Sequence, residues 1–329
     1  MITDRFRGRR RQILLAAAAA LGPSAGVRAQ TGAWPERPIT VFVPSAAGGA
    51  ADFTGRAWGA FLSRALSGAV VTIDNKAGAG GILGTLAARA APADGHAFLI
   101  STNSTHAANL SLYAKPGYDP QKDFDPVGMF GKFGTVLMVR SDSRIPTLPA
   151  LVGFARANPG KLTFGFYSSS SQVPAELLKA RAKIDAVGTS YKNITQIITD
   201  LAGGQIDFAF LDMLSAAPGL QNPRLKAIAV SAPTREPSLP EVPAVAEWFP
   251  GYEVQGWIGL HAPAGVPRAV IERVGAITRE AVADPTFKQA LESRGMVVGG
   301  MTPQALRQFV DADVERWAQW VKLAGIPPQ

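Results

Sequence analysis

The chain contains no cysteine and only three histidines, His96, His106 and His261. The first absence excludes a disulfide framework, and it excludes the lipid-modified cysteine that would tether an exported protein to a membrane. The second leaves no pair at metal-ligand spacing, so neither a metal nor a cofactor is expected. No Gly-x-Ser-x-Gly elbow and no phosphate-loop lysine occur, and Gly78-Ala79-Gly80-Gly81-Ile82-Leu83-Gly84 misses the dinucleotide spacing by one position. No repeat of solenoid period is visible.

The N-terminus has the composition of a secretory leader. Arg5, Arg7, Arg9, Arg10 and Arg11 precede Ile13-Leu14-Leu15 and the alanines Ala16 to Ala20, and Val27-Arg28-Ala29 places small residues where a signal peptidase cuts. Cleavage is expected after Ala29, because the apolar core falls short of the roughly 20 residues a membrane anchor needs. Arg10-Arg11-Gln12-Ile13-Leu14 also resembles a twin-arginine signal, although the basic cluster suits the general pathway too. Without residues 1–29 the formal charge falls from +8 to +3, with 27 basic and 24 acidic residues. No basic block interleaved with aromatics survives, so nucleic acid is not expected as a partner. The expected product is a free periplasmic monomer.

About 300 residues then suffice for two α/β units. Strand-like Ile39–Val43, Val70–Asn75 and Ala97–Thr102 alternate with helical segments near Asp52–Leu66 and Gly81–Ala90, which implies a parallel sheet with crossover helices. A second series follows: strands at Val136–Val139, Thr163–Phe166, Asp185–Ser190, Phe208–Leu211 and Leu225–Val230, with helices near Leu148–Ala157, Val173–Lys183 and Thr195–Leu201. Five prolines between Ser231 and Gly251 argue for a surface excursion. Glu253–His261 reads as a strand, and Arg268–Ala283 and Pro303–Leu323 as amphipathic helices. Extended crossings near Gly134–Val139 and Glu253–Leu260 would join two lobes across a cleft. Ligands of open sheets sit at the carboxyl ends of the strands, so the turns there are the candidate site.

Four such turns stand out. Ser45-Ala46-Ala47-Gly48-Gly49 ends the first strand and opens a helix whose free N–H groups and dipole favour an anion. Thr102-Asn103-Ser104-Thr105-His106, Tyr167-Ser168-Ser169-Ser170-Ser171-Gln172 and Asp212-Met213 supply hydroxyls, amides and one acid. Asp52 is either a helix-start carboxylate or a ligand contact. Asp212, after a wholly apolar strand, would select a ligand bearing an amine or hydroxyl or repel the wrong anion. His106 either orients a carboxylate or serves as a structural donor, and the serine run is either a binding turn or a helix cap. Tyr191 and Lys192 either reach toward the same cleft or, as a lysine in such a turn usually does, face solvent.

Val43-Pro44 with Ala46-Ala47-Gly48-Gly49 and Asp52, Asp74-Asn75-Lys76-Ala77-Gly78-Ala79-Gly80-Gly81, Thr102-Asn103 with Thr105-His106, and Tyr118-Asp119-Pro120 recur in order with Tyr191-Lys192, Gly203-Gly204-Gln205-Ile206-Asp207 and Pro250-Gly251-Tyr252. In these motifs the chain resembles the Bug-type solute receptors of tripartite tricarboxylate transporters over nearly the whole mature length. The resemblance implies a two-lobed periplasmic binding protein fold, type II-like, with a leader at 1–29, one domain at 30–133 and 257–329, and the other at 134–256. It implies a small carboxylate held by backbone N–H groups and waters at the turns named above, namely Ser45, Ala46, Ala47, Gly48, Gly49 and Asp52, Thr102, Asn103, Thr105 and His106, Tyr167 to Gln172, and Asp212. The implied partners are membrane permease subunits or a sensor kinase, and no catalysis is implied. Three departures fall in the expected pocket wall: Ser45 where phenylalanine is common, a short Gly165–Gln172 stretch, and Asn193 in place of a frequent glycine. An exported enzyme acting on small acids, with Ser168–Ser171 and His106 as its chemistry, is the competing expectation.

Overall fold

Alternating β-branched and helix-forming segments build two sheets, each with its own flanking helices. The computed structural model describes residues 34–329, of which 37–329 form one compact unit. The expected leader and its twin-arginine-like run lie outside the described residues.

The first half runs β1 (Ile39–Val43), α1 (Ala50–Ala65), β2 (Val71–Asn75), α2 (Ile82–Arg89) and β3 (Ala97–Thr102). A π-helical turn at Ser104–Ala108 leads into the single turn α3 (Asn109–Leu112) and then β4 (Phe124–Phe133). The chain crosses at Gly134 into β5 (Thr135–Arg140), α4 (Leu148–Ala157), β6 (Leu162–Phe166), α5 (Ser169–Ala182), β7 (Ala186–Ser190), α6 (Ile194–Gly203), β8 (Phe208–Asp212), α7 (Met213–Leu220) and β9 (Leu225–Val230). It returns through β10 (Gly256–Pro263) and continues as α8 (Arg268–Ala283), α9 (Pro285–Glu292), β11 (Met296–Val298) and α10 (Pro303–Leu323). The strand orders are β11-β4-β10-β3-β1-β2 and β7-β6-β8-β5-β9.

Parallel pairing holds only where helices cross over, at β1 with β2 and β3 and at β6 with β7 and β8. The strands next to the crossings, β4, β5 and β10, pair antiparallel with their neighbours, as do β9 and β11, so both sheets are mixed and the expectation of parallel sheets is corrected. Strand β4 carries Pro126, Gly128 and Gly131, which read as breakers in the sequence. The ladder with β10 shifts register twice, and one shift brings Pro126 opposite His261, where a missing amide is tolerated. A Cβ on Gly131 would lie 2.4 Å from the Val297 carbonyl, so the glycine lets β11 approach.

Helix α1 buries Trp58 and Leu62, four residues apart, against the first sheet. The Trp58 ring meets Phe98 and Phe130 edge-on, at centroid distances of 6.0 and 6.1 Å. In the second half β8 is buried on both faces, as a central strand covered by helices must be. The proline-rich stretch 231–251 is irregular except for a 3₁₀ turn at Val245–Glu247, yet it is anchored: Ala232, Glu236, Ala244 and Val245 are buried. Helix α10 spans both halves. Its Leu306 and Val310 pack with Met129 and Trp257, while Trp317 and Val321 enter the core that holds Leu148, Leu151 and Phe208.

Candidate functional site

A cavity of about 660 Å³ lies between the carboxyl ends of β1, β2 and β3 on one side and of β6, β7 and β8 on the other. This is where mixed α/β sheets leave helix N-termini pointing at open space.

On the first side, Pro44 ends β1 and Gly49 caps α1 in an extended conformation. Ala50 and Ala51 both line the cavity. As first-turn residues their amides have no upstream carbonyl to bond. Asp52 braces this turn from behind. Its carboxylate accepts the Gly48 amide at 2.9 Å and Asn75 Nδ2 at 3.0 Å, and it pairs with Arg56 at 2.9 Å. Burial pushes the Asp52 carboxyl up, but Arg56, the Gly48 amide and Asn75 together outweigh it and hold it below the usual carboxylate range.

The turn between β2 and α2 is the second wall. Ala77 to Gly81 line the cavity, and Gly80 and Gly81 both have positive φ, which glycine adopts without strain. Gly84 permits the contact with β1: a Cβ there would lie 2.7 Å from Pro44 Cα and 2.9 Å from the Lys76 carbonyl, both backbone. Gly84→Ala is therefore expected to cost about 1–2 kcal/mol of stability by over-packing. Urea denaturation checks this, and an unchanged midpoint would refute the tight approach.

The halves are joined at the back of the cavity by a buried polar bridge. Asn103 Nδ2 donates to Ser169 Oγ at 3.0 Å and to Ser170 Oγ at 3.1 Å, and Ser104 Oγ lies 2.7 Å from Ser169 Oγ. Asn103 Oδ1 accepts the Trp257 amide and the Ser170 hydroxyl, each at 3.3 Å. The serine run is thus the first turn of α5, which starts four residues before the expected Val173. Ser171 Oγ folds back to accept the amides of Tyr167 at 2.9 Å and Ser168 at 3.0 Å, while the amides of Ser169 and Ser170 begin a helix and have no upstream partner.

Asp212 sits at the end of β8, with its side chain buried. One oxygen accepts the Ser215 amide at 3.0 Å and caps α7, and the other accepts the Tyr167 hydroxyl. Burial pushes the Asp212 carboxyl up, and burial beside that carboxyl pushes the Tyr167 hydroxyl well above its ordinary value. Tyr191 donates its hydroxyl to Asp200 at 2.8 Å, and burial, helped by that bond, pushes it up to about 12. Among the described residues Lys192 is the one lysine or arginine on the cavity wall, and it is exposed.

Of the residues expected from sequence, Ser45, Ala46, Ala47, Gly49, Thr102, Asn103, Tyr167, Ser168, Ser169, Ser170, Gln172 and Asp212 line this one cavity. Asp52, Thr105, His106 and Ser171 lie buried behind its wall, and Gly48 is exposed beside it. Thr105 Oγ1 accepts the Thr102 amide at 3.1 Å and meets His106 Nδ1 at 2.9 Å. The His106 ring points into the core, 4.1 Å from the His261 ring and 5.4 Å from Phe124. It is wholly buried, its Nε2 has no hydrogen-bond partner, and burial lowers its pKa to about 3. Sequence reasoning left out the Gly78–Gly81 turn, which follows a strand just as Ser45–Gly49 does, and the rings of Tyr113, Phe133 and Phe166. Among the described residues no group of three or more His, Cys, Asp or Glu side chains is placed to hold a metal ion.

Comparison with known proteins agrees with this architecture. The family model described as tripartite tricarboxylate transporter family receptor matches residues 56–326. A UPF0065 protein from the tcbD-tcbE intergenic region of Pseudomonas sp. strain P51 is 35% identical over 319 residues, covering 95% of this chain and 94% of its own. Protein BugT of Bordetella pertussis is 30% identical over 311 residues, 93% of this chain and 94% of its own. Among solved structures, R. palustris Rpa4515 with adipate superimposes with a TM-score of 0.86 at 30% identity, over 90% of this chain and all of the other. MatC from Rhodopseudomonas palustris with bound malate gives 0.81 at 29% identity, over 88% of this chain and all of the other.

Proposed function

This chain belongs to the tripartite tricarboxylate transporter receptor family, and from that premise we propose that it captures a small organic carboxylate in the cavity between its two sheets. The observation that carries this reading is the pair of helix starts, α1 at Ala50-Ala51 and α5 at Ser169-Ser170, that offer unpaired amides to one cavity from opposite halves. Charge-assisted hydrogen bonds to such amides contribute on the order of 1.5–3 kcal/mol each. The relatives that hold adipate and malate support the same ligand chemistry.

In this reading the protein works in the periplasm and hands its ligand to membrane permease subunits or presents the bound state to a sensor kinase. No helix among the described residues is long and apolar enough to cross a membrane. The two halves act as lobes divided near Gly134 and Gly256, and a ligand touching both favours their closed arrangement. Binding falls to the cavity-lining turns, whereas Asp52, Thr105 and Ser171 hold those turns in shape. The enzymatic alternative is weakened by His106, whose ring is packed against His261 and Phe124, away from the serine hydroxyls it would have to activate.

Calorimetry and thermal shift with malate, adipate, amino acids and aromatic acids test the reading. If no anionic metabolite binds or raises the melting temperature, it fails. Ala50→Pro sharpens the test, since proline is accepted at the first helical position and extended Gly49 suits the residue before it, while one amide is removed. Affinity is expected to fall tenfold or more, with the ligand-free melting temperature nearly unchanged. Equal affinity would mean that this helix start does not hold the anion.

A further inference from the structure

We propose that the carboxylate bound here carries an aromatic ring, so that the ligand class is aryl carboxylates of about benzoate size or somewhat larger. The inference rests on the carboxylate-receptor reading and narrows it. Five rings line the cavity, Tyr113 and Phe133 from the first half and Phe166, Tyr167 and Tyr191 from the second. Two of the three tyrosines have their hydroxyls spent on the protein, Tyr167 on Asp212 and Tyr191 on Asp200. What these two offer a ligand is therefore chiefly ring surface, which prefers to meet another ring edge-on or offset.

The charge inventory points the same way. A second carboxylate buried deep in the cavity would need its own set of donors, as the first has in the helix-start amides. The wall supplies one lysine, exposed Lys192, and one acid, Asp212, whose two oxygens already accept hydrogen bonds from Ser215 and Tyr167. With the helix starts turned to one anionic head, the wall beyond them sets Leu112, Ile194, Ile258 and the rings beside the side-chain amides of Asn109, Gln172 and Asn193. At about 660 Å³ the cavity also falls in the range of pockets that enclose ring-bearing ligands.

Titration calorimetry of the full-length mature protein with benzoate, 4-hydroxybenzoate and phenylacetate, against malate, adipate and cyclohexanecarboxylate, decides the matter. At least one aryl acid is expected to bind tenfold or more tightly than any of the three non-aromatic acids. Phe166→Leu is expected to weaken that aryl acid about fivefold while changing malate and adipate by less than twofold. Because Phe166 also touches Phe164, the unmodified protein supplies a second readout: binding of the aryl acid should perturb the near-ultraviolet circular dichroism of the tyrosines. Tighter binding of a non-aromatic acid, or affinities within threefold across the series, would overturn the aromatic assignment and leave the carboxylate receptor standing. Failure of every acid to bind would overturn both.

Discussion

Lowering the pH from 7 to 5 is expected to remove about 2 kcal/mol of folding stability through His106 alone. Its imidazole is wholly buried, and burial keeps it neutral in the folded chain down to about pH 3. In the unfolded chain the same ring takes up a proton near pH 6.5. Between those two values the unfolded state binds more protons, so stability is lost as the pH falls. His261 acts in the same direction. Burial, with the neighbouring His106 and Arg307, holds its pKa well below the ordinary value, and its Nδ1 is engaged by Ser101 Oγ at 2.7 Å. Asp212, Glu236 and Asp313 oppose the trend, because burial raises each carboxyl and a raised acid gains stability on acidification. The histidine contribution is isolated by His106→Asn, which keeps a polar atom near Thr105 and removes the titration. Urea denaturation from pH 7 to 4.5 should give the variant a shallower slope, by about one proton. Identical slopes would mean that His106 is charged in the folded protein or is not buried.

Asn103→Ala is expected to cost about 2–4 kcal/mol, the second large effect. The side chain bonds Ser169, Ser170 and the Trp257 amide, so its removal leaves buried polar groups from both halves without partners. Ser169→Ala, which gives up only the contacts to Asn103 and Ser104, should cost about 1 kcal/mol. Denaturation of both variants measures this, and a loss below about 0.5 kcal/mol for Asn103→Ala would show that water replaces the bridge. Neither residue is exposed, so an effect of this size cannot come from surface charge.

Much of the fold was legible where a single period dominates. Ala97–Thr102, Leu148–Ala157, Leu225–Val230, Arg268–Ala283 and Pro303–Leu323 have the bounds that their apolar spacing predicts. Strand β4 was not legible, because its proline and glycines answer to neighbours brought in from residues 256–263 and 296–298. The site shows the same division on a smaller scale. Composition identifies the turns, but it does not tell which of two adjacent small polar residues faces the cavity. Asp52, Thr105 and Ser171 each lie three or four residues after an amide they accept, so they brace the turn. That spacing is visible in the sequence and separates braces from contacts. The aromatic wall had no local signature, since Tyr113, Phe133, Phe166 and Tyr191 come from four separate segments of the chain.

Helix α10 is a rod of 21 residues, about 30 Å long, seated on the first half near Leu306, with Trp317 and Val321 in a core shared by Ala107, Ala108 and Leu112 of the first half and Leu148, Leu151 and Phe208 of the second. By leverage alone, a 10° swing between the halves would carry its far tip about 5 Å, enough to pull an indole out of its socket. Were the halves to swing in this way, emission from Trp317 and its neighbour Trp320 would report it over the background of the chain's four other tryptophans.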